Sequence, residues 1–286
     1  MITALIFLGS AVISMGLWLG TREMFQHPTF IRRNYRDHTV PTAVGALIPL
    51  SAAIVMAMYS LVSGWAPVAG ARDAWFKLGS FGPVVLALAF AFALLGLIDD
   101  FGGIGQSGGF RAHITALFRG RVSTGMLKLI GGAAAAIAII GATATGPAVG
   151  GLIRDAAIVA LAANLGNLFD RAPGRVIKVG LITYLAFALL FGQFVAAPLA
   201  PVLGAAAGLL IPDVREQMMI GDAGANALGA VIGYGFVLGF GPSARLVVLI
   251  VLVFLNLLSD FVSFSRVIER TPPLRWIDRL GAHRHR

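Results

Sequence analysis

The sequence predicts an all-α, polytopic transmembrane helical bundle of about nine spans, and three observations support this prediction. Hydrophobic residues make up 58% of the 286 residues, and the mean hydropathy is +0.86. Charged residues make up 12%, about half of the ~25% found in soluble domains. The apolar residues fall in blocks close to the ~20 residues that a helix needs to cross a bilayer. Disorder is excluded, and a water-soluble domain is disfavoured.

Nine apolar blocks follow one another with no linker that would separate domains, so a single membrane domain is expected. The seventh block is short and opens with Pro198 and Pro201, which makes it the least regular. Alanine and glycine are dense at 133–136 and 204–208, and such small residues let membrane helices approach closely or form a homodimer. The predicted spans are 3–20, 43–62, 82–98, 125–145, 149–168, 176–196, 198–212, 223–240 and 244–265.

The basic residues indicate how the chain is oriented. Eighteen of the 22 lysines and arginines lie in or beside one alternate set of loops, namely 21–42, 99–124, 169–175, 213–222 and the tail 266–286. The positive-inside rule places this set in the cytoplasm and the N-terminus outside. The net charge of +9 is therefore interpreted as contacts with membrane lipids and phosphates, and not with nucleic acid. Within the basic tail, 274–280 has the pattern of an interfacial helix.

The first candidate functional group is the pair Asp99 and Asp100, which closes the third span. Adjacent carboxylates repel each other and need a metal ion, a basic partner or free water. Negative charge at a helix C-terminus also opposes the helix dipole. The alternative interpretation is an ordinary solvated helix end.

The second group closes the fifth span and contains Asn164, Asn167 and Asp170. The two asparagines are i, i+3 neighbours on one helix face and need polar partners inside an apolar segment. They form either a hydrogen-bonded clamp between helices or a polar rim that contacts a ligand. In the second interpretation, the basic residues Arg175 and Lys178 lie close behind.

The third group opens the eighth span, where Asp222 lies between Gly221 and Gly224. An aspartate here caps exposed backbone N–H groups, which is a sufficient structural explanation. The two glycines, however, would let a phosphate approach the helix N-terminus.

The predicted topology brings all three groups to one membrane face. The chain has no cysteine, so thiol chemistry and disulfides are excluded, and carboxylate oxygens suit a hard cation such as Mg²⁺, with Mn²⁺ as a substitute. The expected metal ligands are Asp222, Asp99 and Asp100. Arg111 and His113, in the loop after the third span, would donate to phosphate oxygens. Ordinary positive-inside charge is the alternative for this loop.

Four segments together resemble the polyprenyl-phosphate N-acetylhexosamine-1-phosphate transferases, the superfamily that includes phospho-N-acetylmuramoyl-pentapeptide transferase (glycosyltransferase family 4). Each segment is a weak signal alone, but the four follow the family's order. They are Pro-Thr-x-x-Gly within 40–45, Asp-Asp at the end of 96–100, Asn-x-x-Asn-Leu-x-Asp at 164–170 and Gly-Asp-x-Gly at 221–224.

The resemblance implies an enzyme of the prokaryotic cell membrane that acts in envelope glycopolymer synthesis. A polyprenyl phosphate would attack the sugar-bearing phosphorus of a cytoplasmic UDP-sugar, and UMP would leave. Asp222 would be the principal Mg²⁺ ligand. Asp99 and Asp100 would bind or deprotonate the lipid phosphate or help to hold the metal. Asn167 and Asp170 would line the nucleotide pocket.

Two departures from the family pattern keep open a non-catalytic homologue: the second aspartate of the nucleotide motif and the His-rich cytoplasmic loop that members carry are both missing. Many members place a second aspartate soon after the residue equivalent to Asp170, whereas this chain has Arg-Ala-Pro-Gly-Arg at 171–175. A homologue that binds a lipid carrier without catalysis is therefore one alternative. A polytopic transporter is a separate alternative, although transporters are expected to place ionisable residues near mid-membrane.

Overall fold

The computed structural model describes residues 1–34, 36–65, 72–102, 124–142 and 149–282. In these ranges the chain forms eleven α-helices and one two-stranded hairpin. The helices are α1 (Ile2–Phe25), α2 (Leu47–Trp65), α3 (Arg72–Gly102), α4 (Thr124–Gly141), α5 (Val149–Phe169), α6 (Arg175–Phe191), α7 (Gln193–Val214), α8 (Gly221–Gly239), α9 (Pro242–Leu258), α10 (Phe264–Arg270) and α11 (Pro272–Arg279). The strands are β1 (Ile31–Arg33) and β2 (Thr39–Pro41), and 3₁₀ turns cover Pro28–Phe30 and Val44–Ala46.

The helices confirm an all-α bundle suited to a membrane. Within the described residues, five are long and apolar enough to cross a bilayer, and two shorter ones, Gly125–Gly141 and Pro242–Leu258, are also apolar. The five candidates are Ile2–Phe25, Val44–Val62, Ser80–Gly102, Val149–Phe169 and Gln193–Val214. Each of the nine apolar blocks overlaps one of the helices α1 to α9.

Two predicted boundaries are wrong. The sixth span was expected to continue to 196, but Gly192 adopts a left-handed backbone (φ +58°) that ends α6, and α7 starts at Gln193. Pro198 and Pro201 lie inside α7. Proline is tolerated within a membrane helix because neighbouring helices can satisfy the backbone groups that it leaves unpaired. The ninth span was expected to continue to 265, but α9 ends at Leu258, where the apolar run meets polar residues.

Small residues set the closest helix contacts in the core. A Cβ atom at Gly204 of α7 would collide with the carbonyl of Phe7 in α1, and one at Gly208 would collide with that of Ala11. The backbones of α1 and α7 therefore touch, as glycine-rich membrane interfaces allow. The helix α7 is the most buried of the five long apolar helices and occupies the centre of the bundle.

The hairpin was not predicted, and it joins two distant loops. Its strands are antiparallel, with Ile31 opposite Pro41. The Pro41 carbonyl accepts a hydrogen bond from the Met219 N–H at 2.7 Å, and the Gly45 N–H donates to the Ile220 carbonyl at 2.9 Å. The segment just before α8 is thus fixed to the segment just before α2.

Polar contacts divide the described loops into two opposite ends of the bundle. At one end, Asn34 donates to Glu216 at 2.8 Å, so the hairpin loop meets the α7–α8 loop. At the other end, Asp155 accepts from Arg154 at 2.8 Å and from Arg245 at 2.7 Å. The charge pattern predicts that these two ends face opposite sides of a membrane.

Candidate active site

Four helices each bring polar side chains to one point at the hairpin end of the bundle. The Lys128 ammonium of α4 lies 2.8 Å from an Asp99 oxygen of α3 and 2.6 Å from an Asp222 oxygen of α8. Asn167 of α5 completes the group when its amide is oriented to satisfy both contacts. Its oxygen then accepts from Lys128 at 3.0 Å and its nitrogen donates to Asp222 at 2.6 Å. These residues, together with Asp100, are called the carboxylate cluster.

Asp100 makes different hydrogen bonds from Asp99. Its two carboxylate oxygens accept hydrogen bonds from the backbone N–H groups of Asp222 and Ala223, at 3.0 and 3.1 Å. Asp100 therefore caps the N-terminus of α8, where a carboxylate is favoured by the helix dipole. The place that the sequence suggested for a phosphate is occupied by this side chain.

Gly221 makes room for that cap. Its backbone is left-handed (φ +65°), and a Cβ atom there would lie 2.8 Å from the Asp100 carboxylate and 2.9 Å from the Ala43 nitrogen. Both the conformation and the space require glycine. The interpretation that Gly221 gives access to a ligand is thus replaced by a packing role.

The first turns of α8 are held by glycines from three other motifs. A Cβ atom at Gly45 would collide with the Gly224 backbone, one at Gly96 with the Asp222 carbonyl, and one at Gly166 with the Ala225 carbonyl. Each of the four motif segments thus contributes a glycine to the close backbone packing around the start of α8. This packing explains how residues far apart in the sequence converge on Asp222.

The cluster has the chemistry of a cation site. Oxygen atoms from Asp99, Asn167 and Asp222 all approach the Lys128 ammonium. No group of three or more histidine, cysteine or acidic side chains in the described residues could by itself hold a metal ion. Two carboxylates and an amide oxygen fit Mg²⁺ when substrate phosphates and water complete the shell, as is usual for this ion. Asp100 is less suited as a ligand because it already accepts two N–H groups.

Lys128 is a site residue that the sequence did not single out, since there it is one of several basic residues near a helix end. The signal was present, because a single lysine between Leu127 and Leu129 in an apolar helix is costly unless it is paired. Its partners could not be read from spacing, since they lie 29 and 94 residues away.

Asp170 lies beside the cluster, in a cavity of about 210 Å³. Burial, together with the nearby negative charge of Asp213, raises the pKa of Asp170 well above its usual range. Asp213 is 3% exposed, and its carboxylate accepts from the Gly174 N–H at 2.9 Å. The cavity lining comprises Arg33, Asn34, Asp170, Arg171, Ala172, Pro173, Asp213, Glu216, Met218 and Met219.

Three predicted substrate-binding residues are engaged elsewhere. The Asn164 amide donates to Asn256 of α9 at 2.7 Å, so it forms the interhelical clamp and does not join the cluster. Arg175 forms a two-pronged ion pair with Asp278 of α11, at 2.7 and 2.9 Å. Lys178 donates to the Asp278 carbonyl at 2.6 Å. Arg111 and His113 lie outside the described residues.

An apolar groove of about 300 Å³ runs between α5, α6, α8 and α9. Gly166 and Phe169 line the end nearest the cluster, since Asn167 lies between them in the chain. Phe236 lines the groove on α8, and Leu252 lines it on α9. We use the name apolar groove for this space.

The chain matches no protein-family model, and it matches no curated protein. Function is therefore inferred from the chemistry of the carboxylate cluster, the cavity and the apolar groove.

Proposed function

We propose that the protein is a Mg²⁺-dependent phosphoglycosyltransferase that transfers a sugar-1-phosphate from a UDP-sugar to a polyprenyl phosphate and releases UMP. The observation that carries this proposal is the convergence of Asp99, Asn167 and Asp222 on one cation position. The cluster lies at the ends of apolar helices, where a water-soluble donor and a membrane lipid could meet. The resemblance of the four motif segments supports N-acetylhexosamine-1-phosphate as the transferred group.

The proposed topology has nine spans, with the N-terminus outside and the C-terminus in the cytoplasm. The cluster, the cavity and the hairpin then lie on the cytoplasmic side. This orientation follows from the loop set that carries 18 of the 22 basic residues. A cytoplasmic site in a prokaryotic cell membrane would have direct access to nucleotide sugars.

The chemistry required is positioning and charge neutralisation. An oxygen of the lipid phosphate attacks the sugar-bearing phosphorus, and the bond from that phosphorus to the oxygen bridging to UMP breaks. Mg²⁺ held by Asp222, Asp99 and Asn167 would neutralise the diphosphate charge. Lys128 is placed to donate to phosphate oxygens, and Asp100 keeps Asp222 in position by capping α8.

The two remaining spaces fit the two substrates. The apolar groove suits a long prenyl chain, and its end beside Asn167 would place the phosphate at the cluster. The cavity at Asp170 suits the nucleoside, because carboxylates accept hydrogen bonds from ribose hydroxyls and base N–H groups. Asp213 provides a second carboxylate there, although 171–175 lacks the aspartate that many family members have.

Release of UMP by the purified protein tests the proposal. The protein would be incubated with Mg²⁺, polyprenyl phosphate and a panel of radiolabelled UDP-sugars, with EDTA as one control. We expect at least one UDP-N-acetylhexosamine to give Mg²⁺-dependent UMP and a labelled lipid. In Asp222→Asn and Asp99→Asn, turnover should fall by about a hundredfold or more while helical content is kept. Absence of UMP with every donor would contradict the enzyme proposal.

One observation favours a second candidate, a protein that binds a lipid carrier without catalysis. Lys128 already neutralises Asp99 and Asp222, so the cluster is stable without a metal ion. A non-catalytic binder would retain polyprenyl phosphate equally well with Mg²⁺ or with EDTA. The transferase would show Mg²⁺-dependent turnover.

A further inference from the structure

We propose that residues 259–282, which contain α10 and α11, form a strap that closes the apolar groove at its cluster end. The Arg175–Asp278 ion pair fastens this strap. The proposal rests on the proposed function only for the identity of the groove's occupant, a prenyl chain. The closure itself is a property of the chain.

The strap bridges two helices that border the groove. The groove is bounded by α9 on one side and α6 on the other, with α5 and α8 also in its lining. The strap leaves α9 at Leu258 and reaches the first turn of α6, where Asp278 meets Arg175. It therefore joins the ends of two helices that border the groove, at the end beside the carboxylate cluster.

Contacts at both ends fix the strap. The Phe264 ring stacks on Phe169, which lines the groove, with ring centroids 5.6 Å apart. Arg175 donates through Nη1 to Ser265 at 2.9 Å and through Nε and Nη2 to Asp278. The Arg175 side chain is only 6% exposed. A buried, two-pronged arginine–carboxylate pair is both strong and specific in geometry.

The remainder of the strap is weakly attached. Neither α10 nor α11 contains a buried residue, and the Trp276 side chain is 67% exposed. A segment with few buried contacts opens at low free energy. Arg175 binds the Asp278 carboxylate, whereas Lys178 donates only to the Asp278 backbone carbonyl. Loss of the carboxylate should therefore remove the main attachment of the strap to α6 and let the strap open. A released strap would open the end of the groove where a lipid phosphate must reach the cluster.

The accessibility of Val176 measures the closure directly. Val176 follows Arg175, lines the groove and is 3% exposed, and the chain has no cysteine of its own. In Val176→Cys protein, a water-soluble maleimide should react slowly. Adding Asp278→Asn should raise the rate about tenfold, as expected for loss of a charge-assisted hydrogen bond.

Two matched variants keep the test specific. Glu269→Gln removes an exposed carboxylate of the same strap and should leave the rate unchanged, whereas Asp278→Glu keeps the charge and should restore slow labelling. Trypsin cleavage at Arg275 and Arg279 should accelerate in Asp278→Asn only. Equal labelling of Val176→Cys in the Asp278→Asn and Glu269→Gln backgrounds would overturn the strap, and so would fast labelling of the Val176→Cys single variant.

Activity distinguishes this proposal from the proposed function. If the protein is the transferase, Asp278→Asn should raise KM for polyprenyl phosphate several-fold and leave kcat nearly unchanged. If Asp278→Asn raises the labelling rate but no donor gives UMP, the strap is supported and the transferase is contradicted. UMP release without any labelling difference would support the transferase and overturn the strap.

Discussion

Lys128 carries a positive charge to the position where three oxygen atoms meet. Its ammonium is held by Asp99 and Asp222 across two other helices, and all three side chains are largely shielded from water. A charge inside a membrane bundle is tolerated when it is paired in this way. The lysine therefore neutralises the two carboxylates and holds them together.

Replacement of Lys128 by methionine should make the protein depend on Mg²⁺ for stability. Without the ammonium, Asp99 and Asp222 repel each other, and unfolding should become easier by up to about 3 kcal/mol in EDTA. Added Mg²⁺ should recover most of this loss, so the Mg²⁺-induced rise in melting temperature should exceed that of the parent protein. Thermal unfolding in detergent measures this rise in melting temperature. Arg171→Gln, which changes an exposed side chain, is the control. Equal Mg²⁺ responses in the parent and Lys128→Met proteins would contradict the cation site.

Asp100→Ala should mainly reduce stability, unlike Asp222→Asn. It removes the acceptor for two N–H groups at the start of α8, and loss of such a cap costs about 1–2 kcal/mol. Denaturation monitored by circular dichroism should show this loss, and Asp100→Asn, which keeps one acceptor oxygen, should show a smaller one. An unchanged unfolding free energy in Asp100→Ala would rule out the capping role.

At the level of single residues, the sequence was informative where carboxylates or amides lie at the ends of apolar blocks. Asp99, Asn167 and Asp222 were predicted on this basis, and the structure brings them together. Asn164 shares the face of Asn167 only approximately, and the two side chains diverge to different helices. Asp213 was not found, because its proximity to Asp170 depends on how the end of α7 packs against the connection between α5 and α6.

The helix α8 is the element on which the site is built. Its first turn carries Asp222, and Gly45, Gly96 and Gly166 pack directly on its backbone. Any side chain at these three positions would push a neighbouring segment away from α8. The spacing between Asp99 and Asp222 therefore depends on residues that carry no functional group.

Gly96→Ala should disrupt the site while leaving each helix intact. The added methyl group would overlap the Asp222 carbonyl, so the contact between α3 and α8 must open. We expect a melting temperature several degrees lower and loss of the Mg²⁺ response. Gly9→Ala in α1 is the control, because no atom lies within 4 Å of its Cβ position. Similar losses in both variants would show that the effect is not one of packing on α8.

Most of the helices could be predicted because the apolar blocks of the sequence are close to the length of one bilayer crossing. The misplaced boundaries have local causes, such as the left-handed Gly192 between α6 and α7. The hairpin could not be anticipated from its short strands, since it is stabilised by backbone hydrogen bonds far along the chain, from Met219 to Pro41 of its second strand and from Gly45 just after it to Ile220.

At the scale of the whole molecule, polar contacts form two separate groups. The group around the cluster includes the hairpin, the α7–α8 loop and the strap. The other group joins Asp155 to Arg154 and Arg245. The positive-inside rule predicts that the two groups lie on opposite sides of a membrane, whereas the strap's return to α6 could not be seen from composition.

Cysteine labelling in intact cells tests the proposed orientation. Ser243, at the start of α9, and Asp37, in the hairpin loop, are both exposed, and the chain has no native cysteine. An impermeant maleimide should label Ser243→Cys in intact cells, and it should label Asp37→Cys only after the cells are opened. The reverse pattern would place the cluster outside the cell.

The backbone pairing between Pro41 and Met219 has a consequence for biogenesis. The nascent chain exposes its early motifs to the lipid long before the ribosome has translated α8. Until α8 inserts, Asp99 and Asp100 lack the helix against which they pack. Assembly of the pocket is thus a late event of synthesis, because a chain that stops before Gly221 lacks Asp222 and the backbone N–H groups that Asp100 caps.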